Sequence, residues 1–349
     1  MIKRFSVIAL AVAIVLSGAL VVVAQDAQPV QVGPITQRIL DRGELICGVN
    51  TSLAGFATLN DAGEYEGFDV EFCRAVAAAI LGDANAVTYR PLQAGERQAA
   101  VQSGEIDLMS RNTTMTLSRD AVWGASFGPV TFYDGQGLMV RTETGITEIE
   151  GLEGASICVQ SGTTTELNLA DAFSQRGLDY EPQVFADAAA TWEGYLSGRC
   201  DAFTTDKSGL AAYRATSEDP GSHTILEITL SKEPLAPLSP QSDPQFADIV
   251  AWTIYGMIQA EEFGISSENV GDFVSSEVPE IQRFLGQGEN AAGSLYGIAN
   301  DFMVTVITQV GNYGEVFERH LGADTPFGLE RGLNALWTEG GLQYSPPFR

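Results

Sequence analysis

Two runs of alternating strand and helix patterns restrict the fold of this chain most strongly. The first run comprises, in order, LICGV, GFDVEFCRAVAAAILGD, AVTYRPL, AGERQAAVQSG and EIDLMS. The short apolar segments predict strands, and the segments with apolar residues every three or four positions predict helices. We expect Asp69 to cap the first helix and Gly82 to end it. Strands that alternate with helices form a parallel sheet with right-handed crossovers, so this run predicts an α/β unit.

A second run repeats the order further along the chain. It comprises ASICV, a helix from Thr163 to about Arg176, YEPQVF, AAATWEGYLSGR and CDAFTT. A short echo joins the runs, because SGEIDLMSRN at 103–112 and SGRCDAFTTD at 197–206 share Ser, Gly and Asp at matching places. The echo is weak by itself, since Ser-Gly ends many helices. With 349 residues available, the two runs predict two lobes built alike.

The region after residue 240 is helical in pattern. Its first segment, FADIVAWTIYGMIQAEEFG, carries a row of residues at helical spacing: Phe246, Ile249, Val250, Thr253 and Met257. Further helices are expected from Ala291 to Gln309 and near Glu315 to His320. We expect this region to buttress one of the lobes.

The first 24 residues resemble an export signal rather than part of the fold. Two basic residues near the start precede an apolar run from Phe5 to Val23, and polar residues follow Ala24 at once. This order is typical of a signal peptide cleaved near Ala24. An uncleaved anchor is the alternative, because the run is about long enough to span a bilayer. With cleavage favoured, we expect a soluble, exported protein.

Charge and cysteine content narrow the partners. The chain has 19 Lys and Arg residues and 45 Asp and Glu residues. The resulting net charge of −26 disfavours nucleic acid and anionic lipid as partners. The spacing of the four cysteines resembles no zinc motif, so no metal site is expected. In an oxidising compartment the four can pair in three ways, and four buried thiols remain the alternative to disulfides.

A polar cluster, SRNTTMTLSRD at 110–120, follows the third strand of the first run. Ligands of open parallel sheets sit beyond the carboxyl ends of the strands. Asn112, Thr114 and Thr116 lie two apart, so an extended backbone would place them on one side. Thr116 can then cap a helix whose first turn carries Arg119, a guanidinium suited to a carboxylate. The alternative is a polar loop in which Arg119 pairs with Asp120.

The second run supplies a matching feature. VQSGTTTEL ends a strand and begins a helix with the capping-box pattern Thr163-x-x-Glu166. The free N–H groups of Gly162, Thr163 and Thr164 would suit an anion, although ordinary helices carry capping boxes too.

Asp206 completes this set of side chains. By the echo it holds the place that Asn112 holds in the first run. A carboxylate beyond a strand end would pair with an ammonium group; the alternatives are a surface Asp or a partner for Lys207. Arginine, N–H groups and hydroxyls for a carboxylate, with Asp206 for an ammonium, indicate a site for an α-amino acid.

These segments resemble a known family. The matching stretches are GEYEGFDVEFCRAVAAAI, SGEIDLMSRNTTMTLSRDAVWGASFGPVTFYDGQGLMV, VQSGTTTEL, SGRCDAFTTD and IVAWTIYGMIQAEEFGI. Together they resemble the extracellular solute-binding proteins of polar amino-acid ABC transporters, family 3. VGNYGEVFERHLG and GLERGLNALWTEGGLQYSPPFR resemble its general L-amino-acid and glutamate/glutamine/aspartate/asparagine-binding branch. The likeness runs from about Ile39 to Arg349.

The resemblance implies a role for each matching residue. Arg119 would bind the α-carboxylate and Asp206 the α-ammonium. The other implied ligand contacts are Thr114, Asn112, Gly162, Thr163 and Thr164. Where many relatives place a ring against the ligand, this chain has Leu53, with Phe56 three residues on. The resemblance therefore implies weak preference for flat or cationic side chains.

The resemblance also implies an architecture. It is the two-lobed type II periplasmic-binding-protein fold, an α/β fold in which each lobe is a parallel-rich sheet flanked by helices. Lobe 1 would comprise 36–137 and 232–349, lobe 2 would comprise 138–231, and Gly137 and Leu230 would mark a two-segment hinge. Pairing Cys47 with Cys73 and Cys158 with Cys200 keeps each disulfide within one lobe and leaves the hinge free.

The family's way of working is implied as well. The protein would be a periplasmic monomer without a cofactor, binding free L-amino acids by lobe closure and delivering them to an inner-membrane ABC permease.

Arg111 is our own candidate for the ligand's side chain. A second guanidinium beside the site would favour Glu, Asp, Gln or Asn. The alternative is that Arg111 pairs with Asp107 or Glu105.

Other functions find less support. Catalysis by a nucleophile needs a neighbouring base, yet His223 and His320 lie far from both motifs in sequence. GVNTSLAG lacks the dinucleotide fingerprint, and nothing resembles a Walker loop. We therefore expect no enzyme, with a small-molecule lyase or dehydratase on the same fold, or an amino-acid-sensing module, as the alternatives.

Overall fold

The structure, a computed structural model, describes residues 32–287 and 293–349. The expected signal peptide at 1–24 and the expected helix start at Ala291 lie outside the described residues. Within the described ranges, no helix is both long and apolar enough to cross a membrane.

Strands and helices alternate through both halves of the chain. The strands are β1 (Leu45–Asn50), β2 (Thr58–Leu59), β3 (Tyr65–Glu66), β4 (Val87–Leu92), β5 (Leu108–Met109), β6 (Ala125–Phe127), β7 (Phe132–Arg141), β8 (Ser156–Gln160), β9 (Glu181–Phe185), β10 (Ala202–Asp206), β11 (His223–Ile225), β12 (Lys232–Leu235) and β13 (Leu238–Pro240). The helices are α1 (Pro34–Arg42), α2 (Phe68–Leu81), α3 (Arg97–Ser103), α4 (Leu117–Trp123), α5 (Thr164–Arg176), α6 (Ala188–Leu196), α7 (Lys207–Ala215), α8 (Pro244–Glu262), α9 (Val270–Phe273), α10 (Pro279–Phe284), α11 (Phe302–Gln309) and α12 (Tyr313–His320).

Each lobe is built on one main sheet. Lobe 1 has the strand order β4-β1-β5-β13-β6, and lobe 2 has the order β11-β7-β10-β8-β9. In lobe 1 the strands β4, β1 and β5 run parallel, as do β9, β8 and β10 in lobe 2. Antiparallel strands complete both sheets. The predicted α/β architecture with two parallel-rich lobes is confirmed.

The echoed aspartate has the same structural role in both lobes. Asp107 Oδ2 accepts a hydrogen bond from Ile46 N at 2.9 Å, and Asp201 Oδ2 accepts one from Ser156 N at 2.8 Å. In each case the aspartate N–H returns a bond to the same residue's carbonyl. The echo therefore marks equivalent strand junctions, and these two carboxylates are structural.

One long strand connects the lobes. Residues 132–135 of β7 pair with β12, whereas 136–140 pair with β10 in the lobe 2 sheet. Gly137 lies opposite Thr205, and Leu230 N bonds Gln136 O. Gly137 and Leu230, predicted to mark the hinge, thus lie close to the point where β7 changes its pairing partner, and we call the paired segments 132–135 and 232–235 the crossing segments. The spacing of sequence motifs does not show where pairing partners change along one strand.

The C-terminal helices buttress lobe 1, as expected. Their apolar side chains join those of α2 in a single core cluster, which includes Phe72, Val76, Met257, Met303 and Phe317. The expected face of α8 is buried throughout. Lobe 2 has its own core around Ile157 and Phe173.

Two details of the helices differ from expectation. Asp69 is not the cap of α2, because the helix already begins at Phe68 after Gly67, and its carboxylate accepts a bond from Asn112 N at 2.6 Å instead. The helix expected from Ala291 to Gln309 begins only at Phe302. Gly297, whose φ is +73°, follows a short 3-10 turn there and breaks the helical path. Gly82 ends α2 with φ +76°, as predicted.

The four cysteines form two disulfides, each within one lobe. Cys47 in β1 is bonded to Cys73 in α2, and Cys158 in β8 is bonded to Cys200 just before β10. These are the pairs expected from the sequence, and the alternative of free thiols is wrong among the described residues.

Replacing Cys158 and Cys200 together with alanine is expected to lower the free energy of unfolding by about 4 kcal/mol. The bond closes a loop with a sequence separation of 42, and a loop of that length restricts the unfolded chain strongly. Urea unfolding followed by circular dichroism measures the change. An unfolding midpoint equal to that of the unaltered protein would contradict the expectation.

Candidate functional site

A cavity between the lobes collects most of the residues singled out in the sequence. Its empty space is about 520 Å³, a figure that includes open solvent at its mouth. Its lining residues are Asn50, Leu53, Arg97, Arg111, Asn112, Thr114, Arg119, Gln160, Thr163, Thr164, Thr165, Ala188, Thr205, Asp206, Gly209 and Tyr213. We call this space the cleft cavity. It lies at the carboxyl ends of parallel strands from both sheets, where open α/β sheets bind ligands.

Arg119 projects from the first turn of α4 into the cleft cavity. Thr116 caps the helix as predicted, accepting a bond from Arg119 N at 3.2 Å, but Thr116 does not itself line the cavity. Arg119 Nη1 donates to Thr114 O at 2.8 Å, and its guanidinium lies 5.2 Å from the Trp123 ring centroid. Among the described residues no other acceptor bonds this guanidinium, and no ion pair with Asp120 is formed. Two nitrogens therefore remain available for a carboxylate.

Arg111 also lines the cavity, and it pairs with neither Asp107 nor Glu105. Both of those carboxylates are held by other arginines. Arg111 Nε instead donates to Leu92 O at 3.0 Å. Burial lowers the pKa of Arg111 to about 10, and burial raises the pKa of neighbouring Asp69 to about 7. Arg111 is thus a buried cation with unused donors at the cavity wall.

The lobe 2 wall begins at the N-terminus of α5. Thr163 caps the helix, accepting a bond from Glu166 N at 3.3 Å, and both Thr163 and Thr164 line the cavity. The expectation of a free N–H group at Gly162 is wrong, because this group donates to Glu166 Oε2 at 3.2 Å, and Gly162 does not line the cavity. The side chain of Glu166 reaches one residue further back than a capping box requires.

Gly162 contributes to lobe contact rather than to the cavity wall. Its φ is +72°, and a Cβ at this position would lie 3.6 Å from Gly95 Cα of lobe 1. A positive φ and a close backbone approach together favour glycine here.

Asp206 supplies an acidic group opposite the arginines. Only 7% of its surface is exposed, and among the described residues its carboxylate has no hydrogen-bond donor. Asp206 is neither a surface residue nor the partner of Lys207, because it is buried and Lys207 Nζ donates to Glu227 O. Burial, followed by the charges of Asp134 and Glu233, raises the pKa of Asp206 well above its usual range. A cationic ligand group would relieve this repulsion.

Arg97 is a cavity residue that the sequence interpretation missed. Its Nη2 donates to Gly162 O of lobe 2 at 3.2 Å, and its Nη1 donates to Thr113 Oγ1 at 3.3 Å. Burial, then the charges of Arg111 and Arg119, lowers its pKa. The signal was present, since Arg97 follows the carboxyl end of β4 as Arg119 follows that of β5.

The ring at the cavity comes from lobe 2. Tyr213 lines the cavity together with two residues on the same side of α7. Counting from Asp206, the N-cap of the helix, as i, Gly209 is i+3 and Tyr213 is i+7. Leu53 lines the opposite side, whereas Phe56 is buried among core rings. Helical spacing from Asp206 would have identified Tyr213. In the part of the chain that the structure describes, no group of His, Cys, Asp or Glu is arranged for a metal ion.

Comparisons with known proteins identify the family and similar relatives of this chain. The family model for bacterial extracellular solute-binding proteins, family 3, matches residues 45–269. The general L-amino acid-binding periplasmic protein of Rhizobium johnstonii is 52% identical over 309 residues, which cover 88% of this chain and 91% of that protein. The glutamate/glutamine/aspartate/asparagine-binding protein of Rhodobacter capsulatus is 48% identical, with the same coverage.

A solved structure is similar over nearly its whole length. An ABC transporter periplasmic binding protein from Brucella ovis, with glutathione bound, superposes with a TM-score of 0.88 at 47% identity. The match covers 90% of this chain and 99% of that chain.

Proposed function

This chain belongs to the bacterial extracellular solute-binding proteins, family 3, and from that premise we propose that it captures polar and acidic L-amino acids for an ABC importer. The single observation that carries the proposal is the division of the cleft cavity into a cationic side and an acidic side. Arg119, with Arg97 and Arg111, and Asp206 all line this one cavity between the lobes. The names of the two relatives, one general for L-amino acids and one for Glu, Gln, Asp and Asn, support the same ligand class.

The α-amino acid group would lie between the two sides. Arg119 offers two free nitrogens in a fork, which suits a carboxylate. The backbone N–H groups of Thr163 and Thr164, at the positive end of α5, would donate to the same carboxylate from lobe 2. Asp206 would pair with the ammonium group. This places one ligand in contact with both lobes.

The ligand's side chain would point toward Arg111 and Asn112. Asn112 Oδ1 accepts a hydrogen bond from Asn50 Nδ2 at 2.9 Å, so the side-chain amides of two asparagines lie at this end of the cavity. A carboxylate or amide side chain can accept from the unused donors of Arg111, whereas an aliphatic side chain leaves these donors unpaired. Glu, Asp, Gln and Asn are therefore the expected ligands.

Lobe closure would trap the ligand. Arg97 and Gly162 bond across the cleft, and the Thr114 and Thr164 hydroxyls lie 3.3 Å apart. We assign 36–137 and 232–349 to one lobe and 138–231 to the other, with the crossing segments 132–135 and 232–235 bending on closure. The closed form would dock on the permease, so that delivery depends on occupancy. We further propose a periplasmic monomer whose signal peptide is cleaved near Ala24.

Catalysis has little support in the cleft. His223 bonds Tyr195 Oη at 3.1 Å and His320 bonds Glu71 at 3.1 Å, and neither lines the cavity. A binding protein should return its ligand unchanged. Mass spectrometry of amino acids after long incubation would detect an elimination product if this is wrong.

A γ-glutamyl peptide is a second ligand class favoured by one observation. The similar Brucella ovis structure holds glutathione, whose γ-glutamyl group carries the same α-carboxylate and α-ammonium as glutamine. This head group would fit the same contacts. Glutathione therefore belongs among the ligands tested.

Calorimetric titration of protein freed of bound ligand by unfolding and refolding tests the function. The ligands are the twenty amino acids, glutathione, sugars and dicarboxylates. Binding of Glu, Asp, Gln and Asn near micromolar dissociation constants, roughly −8 kcal/mol, is expected. No response to any amino acid would overturn the proposal, and preference for glutathione would redirect it to peptides.

Replacing Arg111 with methionine is expected to weaken binding of Glu and Asp about thirtyfold, because a charge-assisted hydrogen bond in a desolvated site is lost. Binding of Ala and Leu should change less than about threefold. Arg90→Met is the matched control, since Arg90 pairs with Glu105 outside the cavity. An unchanged preference for acidic over aliphatic ligands would remove Arg111 from the site.

A further inference from the structure

Glu233 connects the crossing segment to both sides of the cleft. It lies in β12 opposite Asp134 of β7, and only 1% of its surface is exposed. Its Oε2 accepts hydrogen bonds from Thr114 Oγ1 of lobe 1 at 2.5 Å and from Thr164 Oγ1 of lobe 2 at 2.8 Å. Glu233 itself does not line the cleft cavity, although both threonines do. It therefore touches the ligand space only through these two hydroxyls.

The remaining bonds of Glu233 hold its carboxylate in place. Oε1 accepts from Asn168 Nδ2 of α5 at 2.7 Å and from Ser231 Oγ at 2.5 Å. Four donors satisfy a carboxylate that can only accept. The carboxylate is fixed by lobe 1, by lobe 2 and by the crossing segment at once.

This arrangement decides what the two threonines can offer a ligand. A hydroxyl has one proton and two lone pairs. Since Thr114 and Thr164 both give their proton to Glu233, each presents only lone pairs to other groups. Their oxygens lie 3.3 Å apart, within hydrogen-bonding distance of each other, and with both protons given to Glu233 they form a pair of acceptors. A ligand N–H group placed against them would satisfy both.

We propose that Glu233 is a positioning residue that orients the Thr114 and Thr164 hydroxyls as acceptors, so that the cleft selects an ammonium group. This inference rests on the proposed function and deepens it. Asp206 supplies the negative charge that attracts the ammonium group, and the two oriented hydroxyl oxygens accept its hydrogen bonds. Because one carboxylate oxygen serves both lobes, the acceptor pair is complete only when the lobes are closed.

A double-mutant cycle on glutamate binding tests the inference. Glu233→Gln replaces one acceptor oxygen with a donor and is expected to weaken glutamate binding about tenfold. Thr164→Val removes one hydroxyl and is expected to cost about as much. In the Thr164→Val background, Glu233→Gln should weaken binding further by less than about threefold, because its effect passes through the missing hydroxyl.

A matched control separates positioning from general destabilisation. Glu71 is also a buried carboxylate, held by Arg319 and His320 away from the cavity. Glu71→Gln should lower the unfolding temperature and leave glutamate affinity unchanged. Should Glu233→Gln fail to fold, Thr114→Val carries the test, and about a tenfold loss of affinity is expected.

The outcomes distinguish the two proposals. If the unaltered protein binds no amino acid, the proposed function and this inference both fall. If it binds glutamate but Glu233→Gln has no effect, or has the same effect with and without the Thr164 hydroxyl, only the role of Glu233 is overturned. Unchanged affinity in Thr114→Val overturns it equally. The role of Glu233 is supported if the affinity losses of Glu233→Gln and Thr164→Val are not additive and if Glu71→Gln leaves glutamate affinity unchanged.

Discussion

Replacing Arg119 with methionine is expected to weaken amino-acid binding about a thousandfold, since removing one partner of a buried, hydrogen-bonded charge pair costs roughly 4 kcal/mol. Arg119 is 7% exposed and held by its bond to Thr114 O and by the Trp123 ring, so its fork is fixed before the ligand arrives. Methionine keeps most of the side chain's length and leaves the ligand carboxylate unpaired in a desolvated space. Calorimetric titration with glutamate measures the loss.

The loss should be the same for every α-amino acid. Arg119 would contact the part of the ligand that all of them share, whereas Arg111→Met should separate acidic from aliphatic ligands. Arg90→Met, which removes an exposed guanidinium of lobe 1, should leave every affinity unchanged. If Arg119→Met weakened the binding of acidic ligands more than that of aliphatic ones, Arg119 would contact the ligand's side chain instead.

Replacing Asp206 with asparagine is expected to weaken binding about a hundredfold and to reduce its dependence on pH. In the empty protein the pKa of Asp206 is raised well above its usual range by burial, by Asp134 and by Glu233. Arg119 and Arg97 oppose this from across the cavity. The ligand's ammonium stabilises the ionised form, so the pKa falls on binding and a proton is released.

The direction of the pH effect follows from that fall. Below the pKa of the empty protein the carboxyl must lose its proton before it can pair, so affinity weakens as the pH decreases, by at most about tenfold per pH unit. Above that pKa the affinity is constant. Asp134, whose pKa burial raises to about 6, adds a smaller dependence that persists in Asp206→Asn. Titrations in buffers of different ionisation enthalpy count the protons released.

Stability provides the control for the Asp206 variant. A carboxyl whose folded pKa lies above its unfolded value destabilises the empty protein as the pH rises between the two values. Asp206→Asn removes this cost, so the empty variant should unfold no earlier than the unaltered protein at neutral pH. A lower unfolding temperature together with lost binding would point to misfolding and leave the ammonium role of Asp206 without support.

Local patterns in the sequence were sufficient for most of the architecture. The strand and helix alternation predicts the parallel strands of both sheets, because short apolar runs and 3.6-residue periodicity are set by neighbouring residues. The same local rules give the caps Thr116 and Thr163. They fail at Asp69, whose carboxylate bonds a strand-end amide 43 positions away in sequence. Such a partner is invisible to a local pattern.

The site could be predicted in part for the same reason. Residues at strand ends, such as Arg119 and Asp206, follow from the topology of parallel sheets. Arg97 obeys that rule too and was overlooked because its segment looks like an ordinary helix. Glu233 could not have been identified, since its importance arises from contacts with Thr114 and Thr164 that only the packed lobes create.

The route of the chain through its two lobes bears on biosynthesis. Lobe 2 is one continuous stretch, whereas the lobe 1 sheet takes β13 from beyond it and packs against the late helices α8, α11 and α12. A chain emerging from its N-terminus can therefore complete the lobe 2 sheet while lobe 1 still lacks β13 and the apolar side chains of its late helices. During that interval the edge of β5 and the apolar face of α2 stay open to the wrong partners. Chaperones that delay collapse should matter most for this lobe.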